Sequence, residues 1–235
     1  MAEGQSQQKR RLYGRRHGHR LKPSQQASLT RRLPELAIAL AETDASVDPQ
    51  TLFPQSPDAI WLEIGFGGGE HLIWQAQAHP GIGFLGCEPF VNGLARLLRC
   101  VEEENLQNIR VFPDDARLLL AALPDACLGR VFLLFPDPWP KTRHHKRRFV
   151  SAENLQMLAR VMKGGAELRL ASDDMGYVGW MLHHLLADAN FTWEALGPAD
   201  WRVRPADWPE TRYEAKAICQ DRRPAYLRFR RCLRQ

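Results

Sequence analysis

A chain of 235 residues that is 44% hydrophobic and 25% charged has the make-up of an ordinary soluble globule, with a core large enough to need neither disulfides nor metals. No apolar run approaches the ~18–20 residues of a membrane span, and five cysteines without a C-x-x-C spacing argue for reduced thiols in a cytoplasm and against a structural zinc site. The net charge of +5 is unevenly placed: residues 1–32 carry nine Lys/Arg against Glu3 alone, whereas the remainder carries 23 bases and 26 acids. Basicity is concentrated in that arm, in residues 141–148 and in a tail with six arginines from Arg222 to Arg234. Each run alone reads equally well as a solvated face, but three in one acid-balanced domain read as a footprint for phosphates. The arginine-rich start lacks the amphipathic apolar stripe of an organelle transit peptide.

In chain order, residues 1–22 predict a flexible basic arm, and 23–235 one domain. Residues 24–42 predict a helix with Ser24 as N-cap and Pro34 as a break or first-turn residue. Residues 43–58, rich in Pro, Asp and Ser, are a connector with no assigned role. Thereafter short apolar runs alternate with helical stripes. Strands are predicted at 59–64, 83–87, 109–112, 131–135 and 167–171, with last strands at 191–196 and 226–233. Helices are predicted near 70–78, over 90–104, around Ala116–Leu123, over 152–162 with Gly164-Gly165 as its stop, and around Val178–Leu185. This alternation predicts an α/β fold: a mostly parallel seven-stranded sheet with helices on both faces.

In such sheets ligands bind beyond the carboxyl ends of the strands. Five successive strands end in carboxylates: Glu63, Glu88, Asp114-Asp115, Asp137 and Asp173-Asp174. One buried acid is usually a capped or paired structural group. Five on one sheet edge repel each other and are costly to desolvate, unless a cationic, hydroxyl-rich ligand sits among them.

The first strand leads into Gly65-Phe66-Gly67-Gly68-Gly69-Glu70. Glu70 stands where a dinucleotide loop has its third glycine, and a carboxylate there suits a pyrophosphate badly. A phosphate-free ligand with an amino group and a sulfonium fits better, and S-adenosylmethionine is such a ligand. Glu88, about 20 residues on, is placed for ribose hydroxyls, and Asp115 for the adenine amine.

The stretch from Phe135 to Arg148 holds one acid, Asp137, between Pro136 and Pro138, followed by Trp139. Five of the eight residues from Lys141 to Arg148 are permanently cationic and none is acidic. This juxtaposes a stiff acidic elbow and a polyanion-binding patch. Trp139 is read as a packing lid in preference to a base-stacking platform, and the other six tryptophans as core. His144 and His145 are read as RNA contacts in preference to catalysts.

Residues 63–69 resemble the first motif of class I S-adenosylmethionine-dependent methyltransferases, a Rossmann-like fold. Residues 135–148, with Thr211-Arg212-Tyr213-Glu214 and the arm from Arg11 to Arg20, resemble the tRNA (guanine-N7-)-methyltransferase family. The likeness runs from about residue 10 to 232. It implies cofactor contacts at Glu63, Glu88, Asp115 and Asp137, together with the loop glycines Gly65 and Gly67. It implies guanine-side contacts at Lys141, Asp173, Thr211, Arg212, Tyr213 and Glu214, and RNA contacts at Arg143, His144, His145, Lys146, Arg147 and Arg148. It further implies methylation of the guanine at position 46 in the tRNA variable loop, with S-adenosylmethionine as cofactor. The cysteine and histidine spacings predict no metal and a cytoplasmic protein, and a monomer or homodimer is expected.

Guanine N7 is a bare acceptor with no proton. Its attack on a sulfonium methyl needs no general base, only in-line positioning and negative charge near a ring turning cationic. Asp137 is the expected central residue, holding either the charged end of the cofactor or the donor edge of the guanine. Competing readings are a class I methyltransferase with another substrate, a non-catalytic RNA-binding subunit and a dehydrogenase. The basic patch, the intact glycines and acids, and Glu70 respectively count against them.

Overall fold

The computed structural model describes residues 13–40 and 46–233. Residues 1–12 of the expected arm and 43–45 of the expected connector lie outside them. Seven strands form one sheet in the order β3-β2-β1-β4-β5-β7-β6. They are β1 (Ala59–Ile64), β2 (Ile82–Cys87), β3 (Ile109–Phe112), β4 (Leu128–Leu134), β5 (Met162–Ser172), β6 (Phe191–Trp193) and β7 (Ala225–Arg231). Pairings among β1–β5 are parallel, and β7 is antiparallel to both its neighbours.

The helices are α1 (Pro23–Leu36), α2 (Glu70–Ala78), α3 (Val91–Glu103), α4 (Ala116–Ala122), α5 (Ala152–Val161), α6 (Met175–Leu186), α7 (Ala199–Arg202) and α8 (Arg212–Cys219). Strand alternation divides the core. Leu62, Leu85 and Val131 pack on one face with Leu119, Leu155 and Val178 of α4, α5 and α6. Phe84, Ile109 and Val111 pack on the other with Leu72 of α2 and Leu94 and Leu98 of α3. The strand order reverses across β1 and β4, so a crevice opens past their carboxyl ends.

Several local expectations are corrected. Helix α1 starts at Pro23 with Lys22 as N-cap, because proline fits the first helical position and lacks only an amide that would be unbonded there. Pro34 lies inside α1, which runs two residues further. Gly164 and Gly165 do not stop α5. They lie within β5, which starts at Met162, and Gly165 has a φ of +82°. The β4–β5 register jumps there, from Leu128↔Met162 to Arg130↔Glu167, so the glycines make an irregularity in a strand. Strand β4 ends at Leu134, and β6 stops at Trp193. Residues 13–22 are not loose. The Arg16 carbonyl accepts from the Val91 amide at 2.9 Å, and Gly18 and His19 bond the Asn92 side chain, each at 2.7 Å.

Candidate active site

The carboxyl ends of β1, β2 and β4 meet in a cavity of about 390 Å³, within the range of cofactor sites. Its wall on the β1 side is the glycine loop. Gly67 has a φ of +56°, in the left-handed region that favours glycine. Helix α3 crosses this loop closely: a Cβ on Gly93 would stand 2.1 Å from the Gly67 carbonyl oxygen. Glu88, buried at the end of β2, accepts from the amides of Gly67 (2.8 Å) and Phe90 (2.9 Å). It thereby holds the loop and keeps lone pairs for hydroxyl groups in the cavity. Burial raises its pKa against the two amide bonds that lower it, and Asp137 and Glu63 add to the rise.

Asp137 lines the opposite side. The backbone that carries it is strained: Phe135 and Trp139, on either side of the Pro-Asp-Pro triplet, have φ of +50° and +43°. Such conformations in bulky residues cost about 1–3 kcal/mol each and persist only where surroundings enforce them. The enforcers are visible. The Phe135 amide bonds the Ala171 carbonyl at 2.8 Å, and Arg148 Nε donates to the Pro138 carbonyl at 2.8 Å. The Asp137 carboxylate has no hydrogen bond or ion pair among the described residues. Though it opens onto the cavity, the protein around it displaces enough water to hold its pKa above the ordinary value.

The remaining predicted residues divide. Gly65, Asp115, Tyr213, Lys146, Arg147 and Arg148 also line this cavity. Asp115 caps α4 by accepting from the Arg117 amide, and it pairs with the Arg117 guanidinium, so its carboxylate is already engaged. Glu63 does not line the cavity. It is buried behind it, 2.7 Å from His71 Nδ1. Asp173 lines a second cavity and pairs with Arg222 at 2.8 Å. Thr211 is the N-cap of α8, its hydroxyl accepting from the Glu214 amide. Glu214 is buried, accepts from the Tyr226 hydroxyl and faces Arg204 Nε at 3.4 Å. Arg212 lies over the Tyr213 ring.

The basic patch is a turn of 3-10 helix, Thr142–Arg147, and its members point differently. Lys141, Arg143 and Lys146 are exposed. Arg147 sits between the rings of Trp139 (4.8 Å) and Tyr13 (4.6 Å). His144 and His145 pack against Trp139 and Trp180. Desolvation, together with the surrounding cations, lowers the His144 pKa. Arg148, expected among the RNA contacts, is only 6% exposed, and it stacks on Tyr177 and Trp180 while holding Pro138. Lys141, Arg143, His144 and His145 line neither cavity. The sequence reading missed Tyr13, Arg15, Arg117 and Asn154, which line the first cavity. Arg117 had a legible signal, as a base two residues from a strand-end acid.

This cavity suits S-adenosylmethionine. The Gly67 backbone leaves no side chain in the way, Glu88 offers carboxylate lone pairs, and Asp137 offers an uncompensated negative charge. Among the described residues no group of three or more His, Cys, Asp or Glu is placed to hold a metal ion. No helix among them is long and apolar enough to cross a membrane.

A family model described as a putative methyltransferase matches residues 57–226. A protein of Rhodospirillum rubrum named tRNA (guanine-N(7)-)-methyltransferase is 53% identical over 223 residues, covering 94% of this chain and 88% of that one. Its namesake in Paramagnetospirillum magneticum is 52% identical, covering 94% and 92%. Among solved structures, the 16S rRNA methyltransferase KamB matches with a TM-score of 0.55 at 16% identity, over 75% of this chain and 89% of that one. An antibiotic-related methyltransferase matches at 0.51 and 15%, over 74% and 87%. These two likenesses are of fold. With half the residues shared over nearly the whole length, the chain belongs to the tRNA (guanine-N7-)-methyltransferase family.

Proposed function

We propose that this protein transfers a methyl group from S-adenosylmethionine to N7 of a guanine in tRNA, at position 46 of the variable loop, in the cytoplasm and as a monomer or homodimer. The observation that carries the reading is the Asp137 carboxylate, unpartnered among the described residues and set on a strained elbow across one cavity from the glycine loop and beside exposed cations. The relatives' shared name supports the substrate.

The cofactor supplies an electrophilic sulfonium methyl. The chain's residues bind, orient and compensate charge. The glycine loop lets backbone approach closely, and Glu88 takes hydroxyl groups. Asp137 places negative charge next to a sulfonium before transfer and next to a cationic purine after it. No side chain needs to accept a proton from N7. Arg143 and Lys146 hold phosphates, and Lys141, Asp173, Thr211 and Glu214 belong to the guanine side.

The test incubates the pure protein with labelled S-adenosylmethionine and unmodified tRNA transcript, then locates N7-methylguanosine by borohydride and aniline cleavage. Label at one variable-loop guanine is the expected result. Transfer to no tRNA overturns the proposal, and binding without transfer favours a non-catalytic subunit.

A further inference from the structure

A second cavity, of about 730 Å³, opens past the carboxyl end of β5 and the start of β7. Four arginines line it, Arg202, Arg204, Arg222 and Arg223, against two acids, Asp173 and Asp221. Arg222 is taken by Asp173, and Arg204 turns toward Glu210 and Glu214. Arg202 and Arg223 are exposed and have no carboxylate partner among the described residues. Arg202 lies 4.3 Å over the ring of Trp201, which also lines the cavity. Two uncompensated guanidiniums beside an aromatic ring match an anion attached to a nucleoside.

The position of this cavity selects its ligand. β4 and β5 are parallel neighbours, so Asp137 and Asp173 leave the same edge of the sheet side by side. β7 is antiparallel to β5 and begins at that same edge, Ala225 pairing with Ser172, which brings Arg222 and Arg223 there. Helix α8 spans both cavities, with Tyr213 in the first and Ile218 in the second.

From this arrangement we infer that the second cavity binds the phosphodiester backbone of the RNA substrate next to the methylated guanine, with Arg202 and Arg223 as the phosphate ligands and Asp173 at the rim that faces the guanine. The inference rests on the function proposed above and adds a binding site outside the 141–148 patch.

The test measures binding, so that its failure and a failure of the methylation reading are separable. The affinity of the full chain for unmodified tRNA transcript is measured against salt concentration for the wild type, Arg202→Ala, Arg223→Ala and the double variant. Arg96→Ala/Arg99→Ala on α3 removes the same charge elsewhere. The double variant is expected to bind about tenfold more weakly near 0.15 M salt, with a log–log salt slope lower by roughly 1.5, the loss for two phosphates. S-adenosylmethionine binding stays unchanged. A double variant with wild-type affinity and slope overturns the inference even if the enzyme methylates tRNA. An equal loss in the α3 control, or a wild type that does not bind tRNA, also overturns it. Methylation at no guanine, with the arginine-dependent slope intact, overturns the reaction and leaves the RNA site standing.

Discussion

Tyr213 rests on Gly67 so closely that a Cβ at position 67 would stand 2.8 Å from Tyr213 Cε2. The C-terminal motif thus closes over the cofactor loop. Gly67→Ala meets two penalties: a φ of +56°, which costs an alanine about 1–2 kcal/mol, and displacement of the tyrosine. We expect cofactor affinity to fall at least tenfold by calorimetry. Adding Tyr213→Ala should recover only the part due to the ring, because the backbone strain remains. Wild-type affinity in Gly67→Ala would show that the loop tolerates a side chain there.

Cofactor binding should weaken on acidification earlier than ordinary carboxylates would allow. Desolvation raises the pKa of buried Glu88 and of Asp137, which opens onto the cavity. Their charged forms, which a sulfonium favours, are present above those raised values and lost as pH falls through them. The same shift means the free protein gains stability as pH drops through that window, since its folded state holds these protons more tightly than the unfolded chain. Calorimetry from pH 8 down through the ordinary carboxylate range is expected to show falling affinity with proton release on binding, while the melting temperature of the free protein holds or rises as the two acids take up protons. Affinity that is flat down to the ordinary carboxylate pKa would remove both acids from the cofactor site.

Asp137→Asn tests the centre of the site. The amide is isosteric and removes a charge that the fold gains nothing from pairing. Turnover should fall by about 10³-fold, in the range of removing one electrostatic stabiliser. Stability at pH 7 should be unchanged or slightly higher, as is common where a site holds an uncompensated group. Turnover within threefold of wild type would place the essential charge elsewhere.

Arg148 should behave as a strut, unlike its neighbours. Arg148→Ala removes a charge-assisted bond to Pro138 and two aromatic contacts, together about 2–4 kcal/mol of stability by chemical denaturation. Its salt slope for tRNA should stay at the wild-type value, whereas Arg143→Ala/Lys146→Ala should lower the slope with the fold intact. A lowered slope in Arg148→Ala alone would restore it as a phosphate contact.

The alternation of strands and helices was legible because apolar spacing is a local property: 59–64, 70–78 and 109–112 match their elements to the residue. The strand-end acids were legible for the same reason, and Glu88, Asp115 and Asp137 do converge. Side-chain direction was not. A run of five cations carries no mark that Arg148 turns inward, because that depends on Tyr177 and Trp180 of a later helix. Nor does Glu214 show in sequence that a tyrosine of β7 and an arginine outside the motif hold it. Gly164-Gly165 read as a helix stop, yet pairing with β4 draws them into a strand irregularity.

Glu63 was expected against the cofactor, and its surroundings give a different prediction. Its carboxylate is 2.7 Å from His71 Nδ1, and both side chains are almost wholly buried. Gln75 Nε2 lies 3.2 Å from His71 Nε2 and donates to the Asp207 carbonyl, which ties the end of β1 to the segment before α8. Glu63→Gln keeps a hydrogen-bonding group at that position. We expect it to change cofactor affinity less than threefold, since a group behind the wall acts only by holding the wall. His71→Ala leaves a buried carboxylate with no partner, which costs about 3–5 kcal/mol. It should lower the melting temperature sharply and loosen cofactor and tRNA binding together, because the glycine loop and the Asp207 segment both lose their tie. Pairing it with Glu63→Leu removes the stranded charge and should recover much of that stability. A tenfold loss of cofactor affinity in Glu63→Gln at unchanged stability would put Glu63 in direct contact with the cofactor after all.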